Sequence, residues 1–286
     1  MKDFKNKVAV ITGAASGIGR ALAINLSKRG VNVVLADKNM KGLAETQKMI
    51  IALDGIASIH ELDVSDAAAF QALAEEVESI YGQVHMLFNN AGVSLIDRAS
   101  DQSLEDFHWL MNINFWGVVH GCKAFLPSLK KADEAVIVNV SSLFGLLALP
   151  LQSAYNASKF AVRGYTEALR IEMCGTSVKV SCVHPGGIKT DITKNAKINE
   201  GAMDASLEQI NANFDKQAKT TPEQAAEIIM KGIEKQNRRI LIGPDAKILD
   251  FMVRLFPARY SKLFGFEKGV INKRLELKAE KTQFNS

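Results

Sequence analysis

Tyr155 and Lys159 stand four residues apart in a stretch from about Ser153 to Cys174 with the apolar spacing of a helix. Four residues along a helix is just over one turn, so both side chains emerge on one face. A phenol with an ordinary pKa of about 10 is a poor acid–base group at neutral pH. An adjacent ammonium favours the phenolate and draws that value down. Such a pair can give a proton to a carbonyl oxygen or remove one from an alcohol. Tyrosine and lysine fall at this spacing in many helices, so the pair means little without companions.

A companion lies near the start of the chain, at Thr12-Gly13-Ala14-Ala15-Ser16-Gly17-Ile18-Gly19. The β-branched run Val8–Ile11 reads as a strand, and Ala21, Leu22, Ile24 and Leu26 give helical periodicity directly after it. Strand, tight glycine turn and helix is the arrangement that offers a helix's unpaired first-turn amides to a phosphate. The glycines let the backbone come close. The spacing T-G-x-x-x-G-x-G is one residue longer in the bend than the usual G-x-G-x-x-G.

The elements that position these residues alternate. Strands are expected at Val31–Ala36, ending at Asp37; Ile56–Leu62, ending at Asp63-Val64; and Val84–Phe88, closing with Asn89-Asn90-Ala91-Gly92. Further strands are Ala135–Val140, followed by Ser141-Ser142; Val178–Val183, stopping at His184-Pro185-Gly186-Gly187; and Arg239–Ile242. Helices fill the intervals, including one through about Leu53, one capped by Ser65-Asp66 and running to Tyr81, one long helical region over Leu104–Lys131, and one from Pro222 to about Gln236. This is the pattern of an α/β chain: one doubly wound Rossmann-type domain over residues 1–243, with a mostly parallel sheet of seven strands. In such sheets ligands sit beyond the carboxyl ends of the strands, where the polar and glycine-bearing residues gather here. Residues 188–221 carry few bulky apolar anchors and read as a substrate flap with a short helix near Leu207–Ala218. Residues 244–286 read as a helical, basic extension.

With 286 residues and 47% hydrophobic content, the chain can bury one large core. No apolar run reaches the roughly 20 residues that span a bilayer, and residues 1–7 lack the apolar region of a secretory signal. Cys122, Cys174 and Cys182 fit small core positions in a reducing compartment rather than a disulfide or metal site, and a cytoplasmic location is expected. The net charge of +4 is uneven: from Arg254 onward there are eight Lys or Arg and three acids, leaving residues 1–253 near −1. The body therefore lacks nucleic-acid electrostatics.

Taken in order, Thr12–Gly19, Asn89–Gly92, Asn114, Ser142, Tyr155-Asn156-Ala157-Ser158-Lys159, Pro185-Gly186 and Thr190 give a chain that resembles the short-chain dehydrogenase/reductase family over most of residues 7–243. The resemblance implies an oxidoreductase that moves a hydride between a nicotinamide cofactor and a carbonyl or alcohol. It implies catalytic roles for Asn114, Ser142, Tyr155 and Lys159. Tyr155 would be the acid–base, and Lys159 would also hold the nicotinamide ribose. Ser142 would bond the substrate oxygen, and Asn114 would hold a water on the proton path. Ser141 competes with Ser142, and Asn112 with Asn114, although Ser142 lies the family's thirteen residues before Tyr155. Cofactor contacts are implied for Gly13, Ser16, Gly17, Ile18, Gly19, Asp37, Asp63, Val64, Asn89, Ala91, Gly92, Tyr155, Lys159, Pro185, Gly186, Ile188 and Thr190.

Asp37, at the end of the second strand, can accept bonds from both adenosine ribose hydroxyls and would repel a 2′-phosphate, which favours NAD over NADP. Lys38 beside it works the other way. The apolar run Leu143, Phe144, Leu146, Leu147, Leu149, Pro150 and Leu151, with no cation in it, suggests an apolar or bulky carbonyl or alcohol substrate. A 3-oxoacyl-thioester reductase is the alternative enzyme, and a non-catalytic dinucleotide-binding sensor or scaffold the alternative class. A homodimer or homotetramer is implied, built on the helices of Asn114 and Tyr155, where Phe107, Leu110, Trp116, Phe125, Phe160 and Val162 could be interface or core. Ile248, Leu249, Met252, Val253, Leu255 and Phe256 could form one helix face in the extension, to cover the pocket, touch an anionic membrane or pack on the body.

Overall fold

Seven parallel strands form the centre of the molecule, in a computed structural model that describes residues 1, 3–192, 194–199, 218–263 and 265. In chain order the elements begin β1 (Val8–Thr12), α1 (Gly17–Ser27), β2 (Asn32–Asp37), α2 (Met40–Ile51), β3 (Ala57–Glu61), α3 (Ala67–Tyr81), β4 (Met86–Asn89) and β5 (Leu95–Ile96). They continue with α4 (Leu104–Met111), a π-helical turn (Asn112–Trp116), α5 (Gly117–Lys131), β6 (Ala135–Val140), a 3₁₀ turn (Leu143–Gly145), α6 (Ser153–Glu172), β7 (Val178–Pro185) and β8 (Lys197–Ile198). Last come α7 (Pro222–Glu234), β9 (Arg239–Ile242), α8 (Pro244–Leu255) and α9 (Tyr260–Leu263). The main sheet runs β3-β2-β1-β4-β6-β7-β9, all parallel.

The central strands β1 and β6 are buried along their whole length, as a sheet covered on both faces requires. Alternate residues feed two cores. Ala9, Ile11, Val33, Leu35, Met86 and Phe88 meet α1, α2 and α7, whereas Val10, Val34, Leu87 and Ile137 meet α3, α5 and α6. The strand order reverses between β1 and β4. That switch point opens a crevice at the carboxyl edge, between the end of β1 at Thr12 and the Asn89–Gly92 corner.

Three features depart from the sequence expectation. The long helix over Leu104–Lys131 is two α-helices joined by a π turn centred on Asn114. A second, two-stranded sheet pairs Leu95 with Lys197 and Ile96 with Ile198, tying residues just before the flap's middle to the body. Cys174 is exposed where the chain leaves α6, whereas Cys122 and Cys182 are buried. Residues 207–217 of the expected flap helix lie outside the described residues. Of the aromatic and aliphatic side chains on α4 to α6, Leu110, Phe125 and Val162 are core, whereas Trp116 and Phe160 face outward.

Candidate active site

The glycine loop is shaped by contacts that no larger residue permits. Gly13 has φ +67°, and a Cβ there would stand 2.8 Å from Asn90 Nδ2 and 2.9 Å from Ala91 Cα. A Cβ on Gly19 would stand 2.1 Å from the Gly13 carbonyl oxygen. Asn90 holds the loop from the neighbouring strand end, its Nδ2 donating to Thr12 O at 2.9 Å and Gly13 O at 3.3 Å. The Thr12 hydroxyl oxygen accepts from the backbone N–H of Asn90 and Ala91 at 3.0 and 3.1 Å. Ser16, exposed and extended, gives α1 no side-chain cap, so the first-turn amides of Gly17, Ile18 and Gly19 lack intrahelical acceptors. The partial positive charge of that helix end faces the crevice.

Asp37 stands at the end of β2, at the edge of the crevice. Its carboxylate accepts from Ala15 N at 3.2 Å and Asn39 N at 3.0 Å, which sets it beside the loop at the end of β2. The Lys38 ammonium turns away to Asp63, at 2.8 Å. Burial would raise the Asp63 pKa, but bonds from Lys38 and Ser65 outweigh it and hold the carboxyl at about 2. Asp66, not Asp63, caps α3. Val64 is buried and packs against Gly117. The Asn89 side chain turns inward, away from the crevice, donating to Asn139 Oδ1 at 2.8 Å. Asn90, absent from the sequence-based contacts, is the residue whose side chain braces the loop.

The other half of the edge gathers Asn114, Ser142, Tyr155 and Lys159. The Tyr155 hydroxyl hydrogen-bonds the Ser142 side chain, and Lys159 Nζ lies 5.7 Å from the tyrosine ring centre. Ser142 Oγ also accepts from Phe144 N at 3.1 Å. Lys159 Nζ donates to Val140 O at 3.1 Å, at the end of β6. Ser141, the competing hydroxyl, instead donates to the Lys159 carbonyl at 2.8 Å and so pins α6 to the sheet. The π turn carries Asn114 inward: its Oδ1 accepts from Val93 N at 2.8 Å, while Nδ2 donates to Val93 O at 2.9 Å and Ser158 Oγ at 3.2 Å. Ser158 in turn donates to Tyr155 O at 2.8 Å. Asn112 is exposed. Gly92 leaves the gap between them, since a Cβ there would lie 3.1 Å from Asn114 Oδ1 and 3.3 Å from Lys159 Nζ.

Burial dominates the electrostatics of this cluster. It brings the Lys159 ammonium down to about 8, so the group can lose a proton near neutrality. It pushes the Tyr155 phenol up, against the opposing bond from Ser142. That reverses the direction expected from spacing alone, because desolvating a phenolate costs more than the Ser142 bond returns. Burial thus favours the protonated form of the phenol.

Past β7, Pro185 and Gly186 turn the chain back, and Gly187 N donates to Asp245 Oδ2 at 2.8 Å. Ile188 is buried and bridges to Thr220. The Thr190 side chain packs on Gly17, which brings this loop over the start of α1. A cavity of about 440 Å³ is lined by Gly17, Arg20, Lys189 and Thr190, among others, but by none of Asn114, Ser142, Tyr155 and Lys159. His184 is wholly buried, and its Nδ1–H donates to Ser142 O at 3.1 Å. Its Nε2 has no hydrogen-bond partner among the described residues, and burial draws the imidazole down to about 4. The extension supplies the outer support. Leu249, Val253 and Tyr260 pack on Leu143, Leu146 and Leu147, and the Tyr260 hydroxyl accepts from Ala148 N at 3.1 Å. Those leucines are therefore core rather than pocket wall. Asp245 could have been suspected from its place in a Gly-Pro-Asp helix start; His184 carried no signal beyond its place after a strand.

Comparison with known proteins gives the same grouping. The family described as short chain dehydrogenase matches residues 7–201. A Mycobacterium tuberculosis protein provisionally named the oxidoreductase SadH is 44% identical over 266 residues, covering 92% of this chain and 95% of that protein. A Burkholderia phymatum short chain dehydrogenase/reductase solved in complex with NAD is 33% identical, with a TM-score of 0.80 over 92% of this chain and 97% of that one. An alcohol dehydrogenase from Thermococcus sibiricus, complexed with 5-hydroxy-NADP, is 25% identical, with a TM-score of 0.71 over 83% and 96%. The chain belongs to the short-chain dehydrogenase/reductase family, oxidoreductases of CH–OH and C=O groups.

Proposed function

We propose that this member of the family interconverts an apolar or bulky alcohol and its carbonyl compound with a nicotinamide dinucleotide, NAD in preference to NADP, and that Tyr155 is the acid–base. The observation that carries the reading is the Ser142–Tyr155 hydrogen bond with Lys159 beside the ring, on the same sheet edge as the glycine loop. The residues fit a dinucleotide: Gly13 and Gly19 keep open space that a Cβ would fill, α1 presents an uncapped end, and Asp37 stands at the adenosine side. Two relatives in the fold comparison were solved with NAD and with an NADP derivative.

When bound, the nicotinamide supplies or accepts the hydride. Ser142 holds the substrate oxygen, and in the reducing direction Tyr155 gives its proton to that oxygen as the carbonyl carbon gains hydride. The phenolate left behind recovers a proton from solvent by way of the buried Lys159 ammonium, whose lowered pKa suits exchange near neutrality. Asn114 and Ser158, bonded to each other and to the Tyr155 backbone, keep the turn of α6 in place. Asp37 favours NAD, and the Lys38 ammonium is engaged by Asp63 rather than free to welcome a 2′-phosphate. Val93, Phe144 and Ile192 around Tyr155 favour an apolar substrate. Trp109, Trp116, Phe160 and Ile171, exposed on α4 to α6 and the turn between them, favour assembly with further copies of the chain, which light scattering would measure.

The test is a panel of ketones, aldehydes, secondary alcohols and acyl thioesters, followed by NADH and NADPH absorbance. Turnover of apolar carbonyls with NADH above NADPH is expected. A preference for thioesters would move the substrate class, and a clear NADPH preference would overturn the role given to Asp37.

A further inference from the structure

The C-terminal helix α8 has two unlike faces. Its inner side packs Ala246, Leu249 and Val253 on the segment after Ser142. Its outer side leaves Ile248, Phe251 and Leu255 at 62%, 60% and 55% exposure. These three follow one another at i, i+3 and i+7, a single stripe along the helix. Phe256 and Leu263 continue the exposed apolar surface through α9.

The charges around the stripe share one sign outward. Lys247, Arg254, Arg259 and Lys262 are exposed. The two carboxylates of residues 244–263 both point inward: Asp245 is bonded to Gly187 N, and Asp250 pairs with Arg239 and Arg254. After Leu263 the sequence adds five further Lys or Arg against three acids, while the body carries a slight negative charge. An apolar stripe rimmed by cations, with no carboxylate of residues 244–263 facing out, complements a surface that is apolar beneath and anionic on top. A second copy meeting the same face would set these cations against one another, since a two-fold contact joins each patch to itself.

We propose that α8 and α9 form a docking surface for anionic lipid bilayers, with Ile248, Phe251 and Leu255 entering the acyl boundary and Lys247, Arg259 and Lys262 meeting lipid phosphates. This holds the protein at a membrane surface without a spanning helix; among the described residues none is long and apolar enough to cross one. The proposal is independent of the reaction assigned above. Because the inner side of the same helix braces the segment after Ser142, docking brings the catalytic edge close to the bilayer.

The experiment is co-sedimentation of the full-length protein with sucrose-loaded vesicles of phosphatidylcholine alone or mixed with phosphatidylglycerol. Pelleting with the anionic vesicles only, released by salt, is expected. Phe251→Glu with Leu255→Glu should abolish it, and neutralising Lys247, Arg259 or Lys262 to Gln should weaken it roughly fivefold each. All these side chains are exposed, so an unchanged thermal midpoint would show that the variants fold. Absence of pelleting, equal pelleting on both vesicle types, or pelleting that survives the double glutamate variant would each overturn the proposal. If instead that variant turned a dimer into a monomer in sedimentation velocity while vesicles stayed unbound, the occupant would be a second copy.

Discussion

The two halves of the sheet's carboxyl edge are built from opposite materials. Around β1, β2 and β4 the surface is made of backbone and of missing side chains: Gly13, Gly19 and Gly92 leave space, α1 offers amides, and Asn90 and Thr12 merely hold the loop. Around β6, α6 and β7 it is made of buried polar side chains, each tied to a fixed partner: Ser142 to Tyr155, Lys159 to Val140, Asn114 to Val93 and Ser158, His184 to Ser142. The first half can recognise a shape that recurs in many ligands, and it fails by steric intrusion. The second half, on the function proposed above, transfers a proton, and it would fail when a single atom is removed. Substitutions should therefore separate binding from turnover according to the half they strike.

The largest separation should come from Tyr155→Phe. Losing the phenolic oxygen removes the proton donor and leaves the glycine loop untouched, so turnover should fall by about two to four orders of magnitude. Dinucleotide affinity, read by titration of NADH fluorescence, should hardly change. Equal loss of affinity and turnover would erase the distinction between the halves. The mirror experiment is Gly19→Ala, where the added methyl would meet the Gly13 carbonyl at 2.1 Å and the Asn90 amide at 2.7 Å. Either the loop or Asn90 must shift, at a cost of about 3 kcal/mol, or some hundredfold in dinucleotide affinity. Turnover at saturating cofactor should suffer far less than affinity.

That contrast also sets what the sequence discloses. The seven strands, their parallel direction and the glycine turn were legible because each rests on local pattern: apolar runs that stop at polar or glycine residues, and helical spacing between them. The spacing of Tyr155 and Lys159 was legible for the same reason. The π turn at Asn114 was not, because the one-residue phase shift it puts into the apolar spacing is too short a signal to separate from the ordinary irregularity of a helix. Nor was the raised pKa of Tyr155: spacing places the ammonium nearby, whereas burial, which decides the direction, depends on Val93, Phe144 and Ile192 arriving from three other segments. Asn89 and Asn90 are adjacent and alike in sequence, and only strand alternation sends one inward and the other to the loop.

A smaller effect should appear in acid, and it belongs to the half around β6, α6 and β7 alone. His184 is held neutral, with its pKa brought by burial from the ordinary 6.5 to about 4. The unfolded chain takes up a proton at this residue as pH falls below about 6.5, and the folded chain does not until about 4, so stability drops across that window. The loss amounts to about 2 kcal/mol by pH 5. His184→Asn should flatten the profile of denaturant midpoint against pH in that range. His85, also lowered by burial, stays in both proteins, so the difference between them isolates His184. Asp63 acts oppositely placed: with its carboxyl at about 2, it loses its stabilising contribution only as pH falls below about 4. An unaltered slope between pH 6.5 and 5 would remove His184 from the account.

The smallest effect should come from the margin where the two halves meet the flap. Lys197 pairs with Asp106 on α4, which holds that carboxyl below the usual range, and Asn199 donates to Asp97 at 2.6 Å and Asp106 at 3.2 Å. Together with the β5–β8 pairing, these bonds fasten residues 197–199 beside the turn that carries Val93. Lys197 is exposed, so its ion pair is screened and adds little to global stability. Its effect should be local. Lys197→Met should raise KM for the carbonyl substrate about two- to fivefold and leave both kcat and dinucleotide affinity near their starting values. Because the pair touches neither the glycine loop nor the Tyr155 cluster, a fall in kcat would mean that the flap's anchor also sets the catalytic geometry. A change in dinucleotide affinity would mean that it reaches the other half as well. An effect on KM alone would place substrate capture in a third region, outside both.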